Sequence, residues 1–390
     1  MHGREAKMND TMESIRNDIN GIDDELVKLF VKRMEASEKM AEVKRGNGKP
    51  VQDPARERSI LSKVAQAVGP ELENEARLFF TTLMSMSRGR QRAELAGECP
   101  FVKSIAEAVA STPERFPSSA TIACPGVEGS YSQQAACRLV NFPTIFYFKG
   151  FDDVFSAVEK GMCDYGILPI ENSAVGSVTA VYDLMAKHNF KIVRAVKLRI
   201  RHVLLAPHGT KLEDVKEISS HPHAIAQCSE FLHQLPGIKA VPATNTAAAA
   251  AAIAASGRKD VAVIAARECA ELYGLEVIKE DISNTSSNYT RFICISKRNE
   301  IYPDSEKFSV MMSLNHRPGA LTDVLVKFAA VGVNLTKLES RPVPGSDFEF
   351  RFIFDFEASP SDPRVVKMLS GFAMDPEIEH FTFLGAYSEK

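Results

Sequence analysis

One proline-free stretch, Ser14 to Asn47, constrains this chain of 390 residues more than any other feature. Along it Ile15, Ile19, Ile22, Leu26 and Leu29 step by four and three, the spacing that aligns side chains on one helix face. That predicts a helix of about 33 residues, near 50 Å long, stopped by Gly46-Asn47-Gly48. A small domain cannot cover so long a helix alone, so the apolar face is expected to pack against a second copy, in a homodimer or higher homo-oligomer. Asp53-Pro54, an N-cap followed by proline at the first helical position, predicts a second helix. A third runs from about Pro70 to Gln91 with Leu72, Ala76, Phe79 and Leu83 on one face. Residues 8–95 thus read as an all-helical unit, and 96–118, with its Gly, Pro and small residues, as a linker holding a short helix at most.

From Ala120 the rhythm changes to short β-rich runs alternating with helical ones, from Thr121–Cys124 and Thr144–Phe148 through Tyr165–Leu168 and Val261–Ala265 to Arg291–Ser296. Residues 119–298 are expected to be an α/β unit of mostly parallel strands in two lobes, with ligands at the carboxyl ends of the strands. After the charged stretch Lys297–Lys307, residues 305–387 read βαββαβ, the ferredoxin-like order, with strands at Phe308–Leu314, Asn334–Glu339, Phe348–Phe356 and His380–Leu384.

Composition removes several function classes. A chain 45% hydrophobic and 25% charged is neither disordered nor fibrous. With 47 basic against 50 acidic residues, no global charge favours nucleic acid or a membrane surface. The longest apolar run, Ala247–Ala255, is too short to span a bilayer, and the charged start of the chain lacks an export signal. The seven cysteines are scattered without a CxxC pair, and read as reduced core residues of a cytoplasmic protein.

The chemistry begins where apolar stripes turn polar. Continued past Leu29, the first helix's stripe meets Arg33, Met40 and Lys44, while the third helix's stripe continues to Ser87 and Gln91. Cations on an inward face need anionic partners. Arg56 and Glu57 sit in the first turns of the second helix, so three helices can wall a pocket for a small polyanion. Taken singly, Arg33 and Lys44 could equally pair with surface neighbours such as Glu35 and Glu42. This segment resembles the all-helical chorismate mutase domain through Arg16, Arg33, Lys44, Asp53, Arg56, Glu57, Ser87 and Gln91, in family order. The resemblance implies a Claisen rearrangement of chorismate to prephenate without metal or cofactor. Arginines would hold the substrate carboxylates, Lys44 and Gln91 would donate to the ether oxygen, and Glu57 would hold the ring hydroxyl. It also implies that Arg16 serves the partner's site.

Four segments stand out in the α/β unit: Pro125-Gly126-Val127-Glu128-Gly129-Ser130-Tyr131-Ser132 opening a helix, Leu168-Pro169-Ile170-Glu171-Asn172-Ser173 after a strand, Ser219-Ser220-His221-Pro222 with Gln227 and Cys228 beyond it, and Asn288-Tyr289-Thr290-Arg291-Phe292 opening the last strand. Each alone is ordinary turn, capping or strand chemistry. Scattered histidines such as His188, His202 and His208 read as surface residues, and His221/His223 lack the neighbours of a metal site. Together the four segments resemble prephenate dehydratase, with His223 and Asn245 at positions where that family commonly has Gln and Ser. This implies a periplasmic-binding-protein-like fold with its site in the cleft, and dehydration with decarboxylation of prephenate to phenylpyruvate. Thr290 would assist departure of the hydroxyl and Arg291 would bind a carboxylate. Glu171, Asn172, Ser173, Ser220, Gln227 and Phe292 would complete the pocket. Whether Thr290 or Glu171 supplies the proton stays open.

In the last unit, Arg317-Pro318-Gly319-Ala320-Leu321 joins a strand to a helix and Glu339-Ser340-Arg341-Pro342 closes the next strand. These resemble the two motifs of ACT regulatory domains, with Thr322 replacing a usual valine. The resemblance implies phenylalanine bound near Gly319, Ala320, Leu321, Glu339, Ser340, Arg341 and Pro342, and feedback inhibition by it. The joint expectation is a bifunctional enzyme of phenylalanine biosynthesis. Its rivals are a non-catalytic amino-acid sensor, and a dehydratase with a purely structural helical unit. No glycine-rich dinucleotide fingerprint follows any strand, which disfavours a dehydrogenase.

Overall fold

The computed structural model describes residues 2–47, 49–96, 99–343 and 349–390. Gly48, Gly97 and the predicted strand start at Phe348 lie outside them. The chain divides into two compact units. One holds Met1–Lys103, Leu314–Gly332 and Val366–Glu379; the other holds Ser104–Ser313, Val333–Val365 and His380–Lys390.

Helix α1 (His2–Asn47) has 46 residues, about 69 Å at the α-helical rise. It begins earlier than the apolar stripe indicates, because the charged residues before Ser14 include no proline to stop it. Ile15, Ile19, Ile22, Leu26 and Leu29 are all exposed, Ile22 at 60%. Helix α2 (Pro54–Val68) opens as its sequence dictates: Asp53 caps it, accepting the Arg56 amide at 3.0 Å, and Pro54 occupies the first turn. Helix α3 (Glu73–Ala96) starts after the expected Pro70 and runs past Gln91. The buried residues of α1 and α3 include Met34, Ala41, Leu83 and Met84, interspersed with Ser37, Ser87, Arg88 and Gln91. The linker contains α4 (Pro100–Ser111), which buries Ile105 and Ala108.

The first lobe runs β1 (Ser119–Pro125), α5 (Tyr131–Leu139), β2 (Phe142–Phe148), α6 (Phe151–Glu159), β3 (Tyr165–Asn172), β4 (Gly176–Ser177), α7 (Thr179–Lys187) and β5 (Lys191–Arg199). The second runs β6 (Val203–Pro207), β7 (Glu217–Ser220), α8 (Pro222–Gln227), α9 (Ser229–His233), β8 (Lys239–Pro242), α10 (Thr246–Ser256), β9 (Val261–Ala265), α11 (Glu268–Tyr273) and β10 (Leu275–Lys279). The chain then returns to the first lobe as β11 (Tyr289–Ser296).

The sheets are mixed rather than mostly parallel. Strands β1, β2 and β3 are parallel, as are β7, β8 and β9, but β11 runs antiparallel to both β3 and β5, and β6 antiparallel to β9 and β10. The cause is the double crossing between lobes: a strand that returns enters its sheet from the opposite end. Apolar clusters cover the faces of both sheets, one around Phe155, Leu168 and Ile293 and another around Ile122, Tyr165 and Phe292 in the first lobe. In the second lobe, alanine-rich α10 packs on Val263 and Ala265, while Cys228 and Ile218 lie in a separate cluster.

The C-terminal part follows the expected order, β12 (Lys307–Leu314), α12 (Ala320–Val331), β13 (Asn334–Pro342), β14 (Phe350–Glu357), α13 (Pro363–Ala373) and β15 (Ile378–Glu389). Its strands align β13-β14-β12-β15, the ferredoxin-like arrangement, and β15 joins β5 in parallel, so a ten-stranded sheet runs on into the first lobe. Gly385 permits that junction, since a Cβ there would run into the Ile192 carbonyl. All seven cysteines are free, and Cys137 is exposed rather than in the core, because it lies on the outer face of α5. Among the described residues no helix is long and apolar enough to cross a membrane.

Candidate active sites

The helical pocket forms where α1, α2 and α3 turn polar. The half-buried Arg33 donates to the Leu83 carbonyl at 3.1 Å and to the Ser87 hydroxyl, which itself donates to Leu83 O at 2.9 Å. Lys44 donates to the Val51 carbonyl just before α2. Burial lowers the Lys44 pKa, against which the Asp53 and Glu57 carboxylates pull it up and Arg56 pushes it down. Glu57 receives Arg88 Nη1 on its Oε1 at 2.6 Å. Gln91 is buried, and its Oε1 has no hydrogen-bond partner among the described residues. Asp53 and Arg56 are exposed. Arg16, exposed, lies 17 positions before Arg33 on the same helix, about 25 Å away at the α-helical rise. It cannot reach this pocket in its own chain.

The second site lies at the carboxyl end of β3. Asn172 Oδ1 accepts the amides of Ala174 and Val175 at 2.9 and 3.0 Å. That fixes the side-chain amide, so its Nδ2 faces Thr290 Oγ1 and Asn288 Oδ1, each at 2.8 Å. Thr290 therefore accepts from Asn172 and keeps its own proton for another acceptor. Asn288 Nδ2 donates in turn to Gln227 Oε1 at 3.0 Å, and His202 Nε2 lies 2.9 Å from the same oxygen. Since that oxygen only accepts, His202 carries its proton on Nε2. His202 is 3% exposed, its Nδ1 is buried without a partner, and burial holds its pKa below the ordinary value. The glycine turn does what a helix entry requires: Ser130 caps α5 through the Gln133 amide, and Tyr131 donates to the Arg201 carbonyl at 2.7 Å. Asn245 likewise caps α10.

Register separates residues that are neighbours in sequence. Thr290 pairs with Asn172 and Arg291 with Glu171. Successive residues of a strand face opposite sides, and the contacts show it. Arg291 extends to Asp355 at 2.6 Å, Glu389 at 2.5 Å and the Tyr387 hydroxyl at 2.6 Å, while Glu171 sits 3.2 Å from Lys337 Nζ. A cavity of about 260 Å³ lies on this side, lined by Glu171, Ser173, Lys197, Arg291, Lys337 and Glu389, among others. Burial alone would raise the Glu389 pKa, but Arg291, Lys307 and Lys197 hold it down at about 2.

The profile of the family described as Chorismate mutase type II matches residues 15–92, and that of Prephenate dehydratase matches residues 122–300. A bifunctional chorismate mutase/prephenate dehydratase of Escherichia coli K12 is 30% identical over 366 residues, covering 91% of each chain. The chain belongs to the bifunctional chorismate mutase/prephenate dehydratase family. It is an enzyme with a mutase region and a dehydratase region. An Arabidopsis thaliana arogenate dehydratase/prephenate dehydratase is 40% identical over 253 residues, 62% of this chain and 66% of that one, so the chain spans just under two thirds of that relative. Among solved structures, a prephenate dehydratase in complex with L-Phe from Arthrobacter aurescens superposes with a TM-score of 0.63 at 33% identity, over 69% of this chain and 89% of that one.

Within this family frame, the structure brings Arg33 onto Ser87 and sets Lys44 near Asp53, Arg56 and Glu57 among the expected mutase residues, but divides the dehydratase set. Asn172, Thr290 and Gln227 share one hydrogen-bonded line. Ser173 stands beside it, accepting the Tyr289 amide and donating to the Ser287 carbonyl. Glu171 and Arg291 face the other side of the sheet, because one residue along a strand is half a turn of the pleat. Ser220 is fully buried with its hydroxyl on the Ile264 carbonyl at 2.6 Å, and Phe292 lies in the core at 3% exposure, so neither opens on the cleft. The residues expected to bind phenylalanine divide as well. Gly319, the left-handed cap of α12, belongs with Ala320 and Leu321 to the first unit, whereas Glu339, Ser340, Arg341 and Pro342 lie on β13 in the second. There Glu339 accepts from Ser177 and pairs with Lys337 at 3.1 Å, and Arg341 lies 3.7 Å from Asp183. Sequence reasoning read His202 as a surface residue, but it is 3% exposed at a lobe crossing with no local pattern to mark it, and it marked Asn288 only as the start of the segment opening the last strand, with no role of its own.

Proposed function

We propose that this chain converts chorismate to prephenate in the helical pocket and prephenate to phenylpyruvate beside Thr290. The observation carrying the second assignment is the fixed Asn172 amide, which leaves Thr290 as a donor. Prephenate's ring carboxylate leaves as CO2, its bonding pair completes the aromatic ring, and the ring hydroxyl departs and is protonated to water. A donor aimed at that oxygen lowers the barrier by stabilising charge that develops on it. Glu171 faces the other side and is paired with Lys337, which favours Thr290 over Glu171 as the group assisting departure. Arg291, held by two carboxylates, supports a binding role only for a substrate that displaces one of them.

The mutase step makes no bond to the protein. Arg33 and a partner's Arg16 would fix the two carboxylates, Lys44 and Gln91 would donate to the breaking ether bond, and Glu57 would accept the ring hydroxyl. Asp53, Arg56 and Ser87 would complete the substrate-binding set. The exposed stripe of α1 supports a homodimer in which the long helix is shared. The βαββαβ part, read as an ACT domain, would bind phenylalanine and inhibit the enzyme, which the L-Phe complex of the Arthrobacter aurescens protein supports. A cytoplasmic location accords with a pathway acting on small dicarboxylates.

The test feeds chorismate to the full chain and follows prephenate and phenylpyruvate with and without phenylalanine. Both products should appear in order, and phenylalanine should slow the second. Phenylpyruvate formation indifferent to phenylalanine, with no heat of binding, removes the regulatory reading and leaves the catalytic one.

A further inference from the structure

The third helix places one more charge in the mutase pocket than the substrate-facing set accounts for. Arg88 sits beside Ser87 and one turn before Arg92, and it is 6% exposed. A cation that deeply buried requires compensation. It finds this in Glu57, whose Oε1 is 2.6 Å from Arg88 Nη1, and in Glu377, whose Oε2 is 4.0 Å from Nη2. Glu377 is in turn held by Arg317 at 2.8 Å. One turn along α3, Arg92 reaches Asp375 at 2.5 Å, and Lys327 meets the same carboxylate at 3.0 Å. The short acidic segment after α13 therefore grips the inner face of α3 at two successive turns.

The geometry around Glu57 gives this pair a direction. Glu57's side chain is 23% exposed and Arg88's 8%, so the carboxylate is the more accessible partner and the guanidinium lies deeper. Arg88 takes one carboxylate oxygen; Oε2 has no hydrogen bond among the described residues. A glutamate on a helix otherwise samples several rotamers, and a charge-assisted bond from a buried fork selects one.

We propose that Arg88 is a positioning residue of the mutase site: it sets the rotamer of Glu57 that meets the ring hydroxyl of chorismate, and Glu377 holds Arg88 for that task. This rests on the reading of Glu57 as the hydroxyl acceptor. It extends the mutase site beyond the three N-terminal helices to a residue near the C-terminus of the chain.

The experiment measures mutase kcat and KM on chorismate in the full chain for the wild type, Arg88→Leu, Arg88→Lys, Glu377→Gln, Glu57→Ala and the Arg88→Leu/Glu57→Ala double variant. Dehydratase turnover on prephenate serves as the check on folding. Misplacing one catalytic group by about an ångström can cost roughly 100-fold, so Arg88→Leu should lower kcat/KM about 10- to 100-fold with dehydratase turnover unchanged. Arg88→Lys keeps the charge but loses the fork and should lower it less, and it decides the matter where Arg88→Leu does not fold. Glu377→Gln should cost about two- to fivefold, as removal of a support usually does. On a Glu57→Ala background the Arg88→Leu loss should vanish, because Arg88 has then nothing to orient. Wild-type kcat/KM in Arg88→Leu, or an equal loss with and without Glu57, overturns the proposal. A Glu57→Ala enzyme at full rate overturns instead the mutase-site reading on which it rests.

Discussion

Asn172 decides which way the Thr290 hydroxyl can act. Its oxygen is taken by two backbone amides, so its nitrogen must face Thr290, and the threonine proton is left over for a ligand. Replacing Asn172 with Asp puts an acceptor where a donor stood. The expected result is a loss of about 100-fold or more in dehydratase kcat, the scale of one oriented donor, with chorismate consumption unchanged. Lys44 supplies a second prediction. It must be protonated to donate to the ether oxygen, and burial lowers its pKa. Mutase kcat/KM should therefore decline with rising pH below the ordinary lysine value of about 10.4, and Lys44→Arg, if active, should remove that alkaline limb. His202 carries the opposite sign. Its folded pKa is depressed, so the unfolded chain binds the extra proton first. Stability should be undiminished above its unfolded value of about 6.5 and fall as pH drops below it. His202→Gln should flatten that slope in thermal melts recorded across the same range.

At the scale of elements, α1 and β11 show what the chain's pattern conveys and what it omits. The stripe Ile15, Ile19, Ile22, Leu26 and Leu29 was readable because helical periodicity is local, and all five residues are exposed in the single chain. Charging the stripe with an Ile19→Lys/Leu26→Lys pair should shift the protein to monomer in sedimentation and remove mutase activity together, because Arg16 is about 25 Å from its own chain's pocket. Loss of assembly with mutase activity intact would contradict a shared site. The dehydratase strands were readable as segments, but not their facing. Thr290, Arg291 and Phe292 are consecutive, and one faces the cleft line, one the cavity beside β14 and β15, and one the core. Register and pairing are set by strands more than 100 residues away, and no local spacing carries that information.

At the scale of the larger unit, charge joins the parts as much as apolar packing does. Arg291 lies between Asp355 and Glu389 where the first-lobe sheet runs on into the C-terminal strands, with both carboxylates nearly buried. Arg291→Met would strand them, a change that typically costs about 3–5 kcal/mol and should show as an earlier urea midpoint; Thr290→Ala should leave that midpoint in place. Glu389, held at about 2, adds an acid limit: its stabilising contribution is complete above the usual glutamate value and is lost as pH falls toward its folded one. The near-neutral net charge of -3 conceals these arrangements, since the cations that matter are inside pockets and junctions.

The central claim is that one chain holds two independent sites used in sequence. It is tested most directly by following chorismate, prephenate and phenylpyruvate together in the wild type, Lys44→Ala and Thr290→Ala. The prediction is that Thr290→Ala consumes chorismate at the wild-type rate and accumulates prephenate. Lys44→Ala should barely consume chorismate yet convert added prephenate to phenylpyruvate at the wild-type rate. Phenylpyruvate from Thr290→Ala at the wild-type rate, or loss of both activities in either properly folded variant, would contradict it.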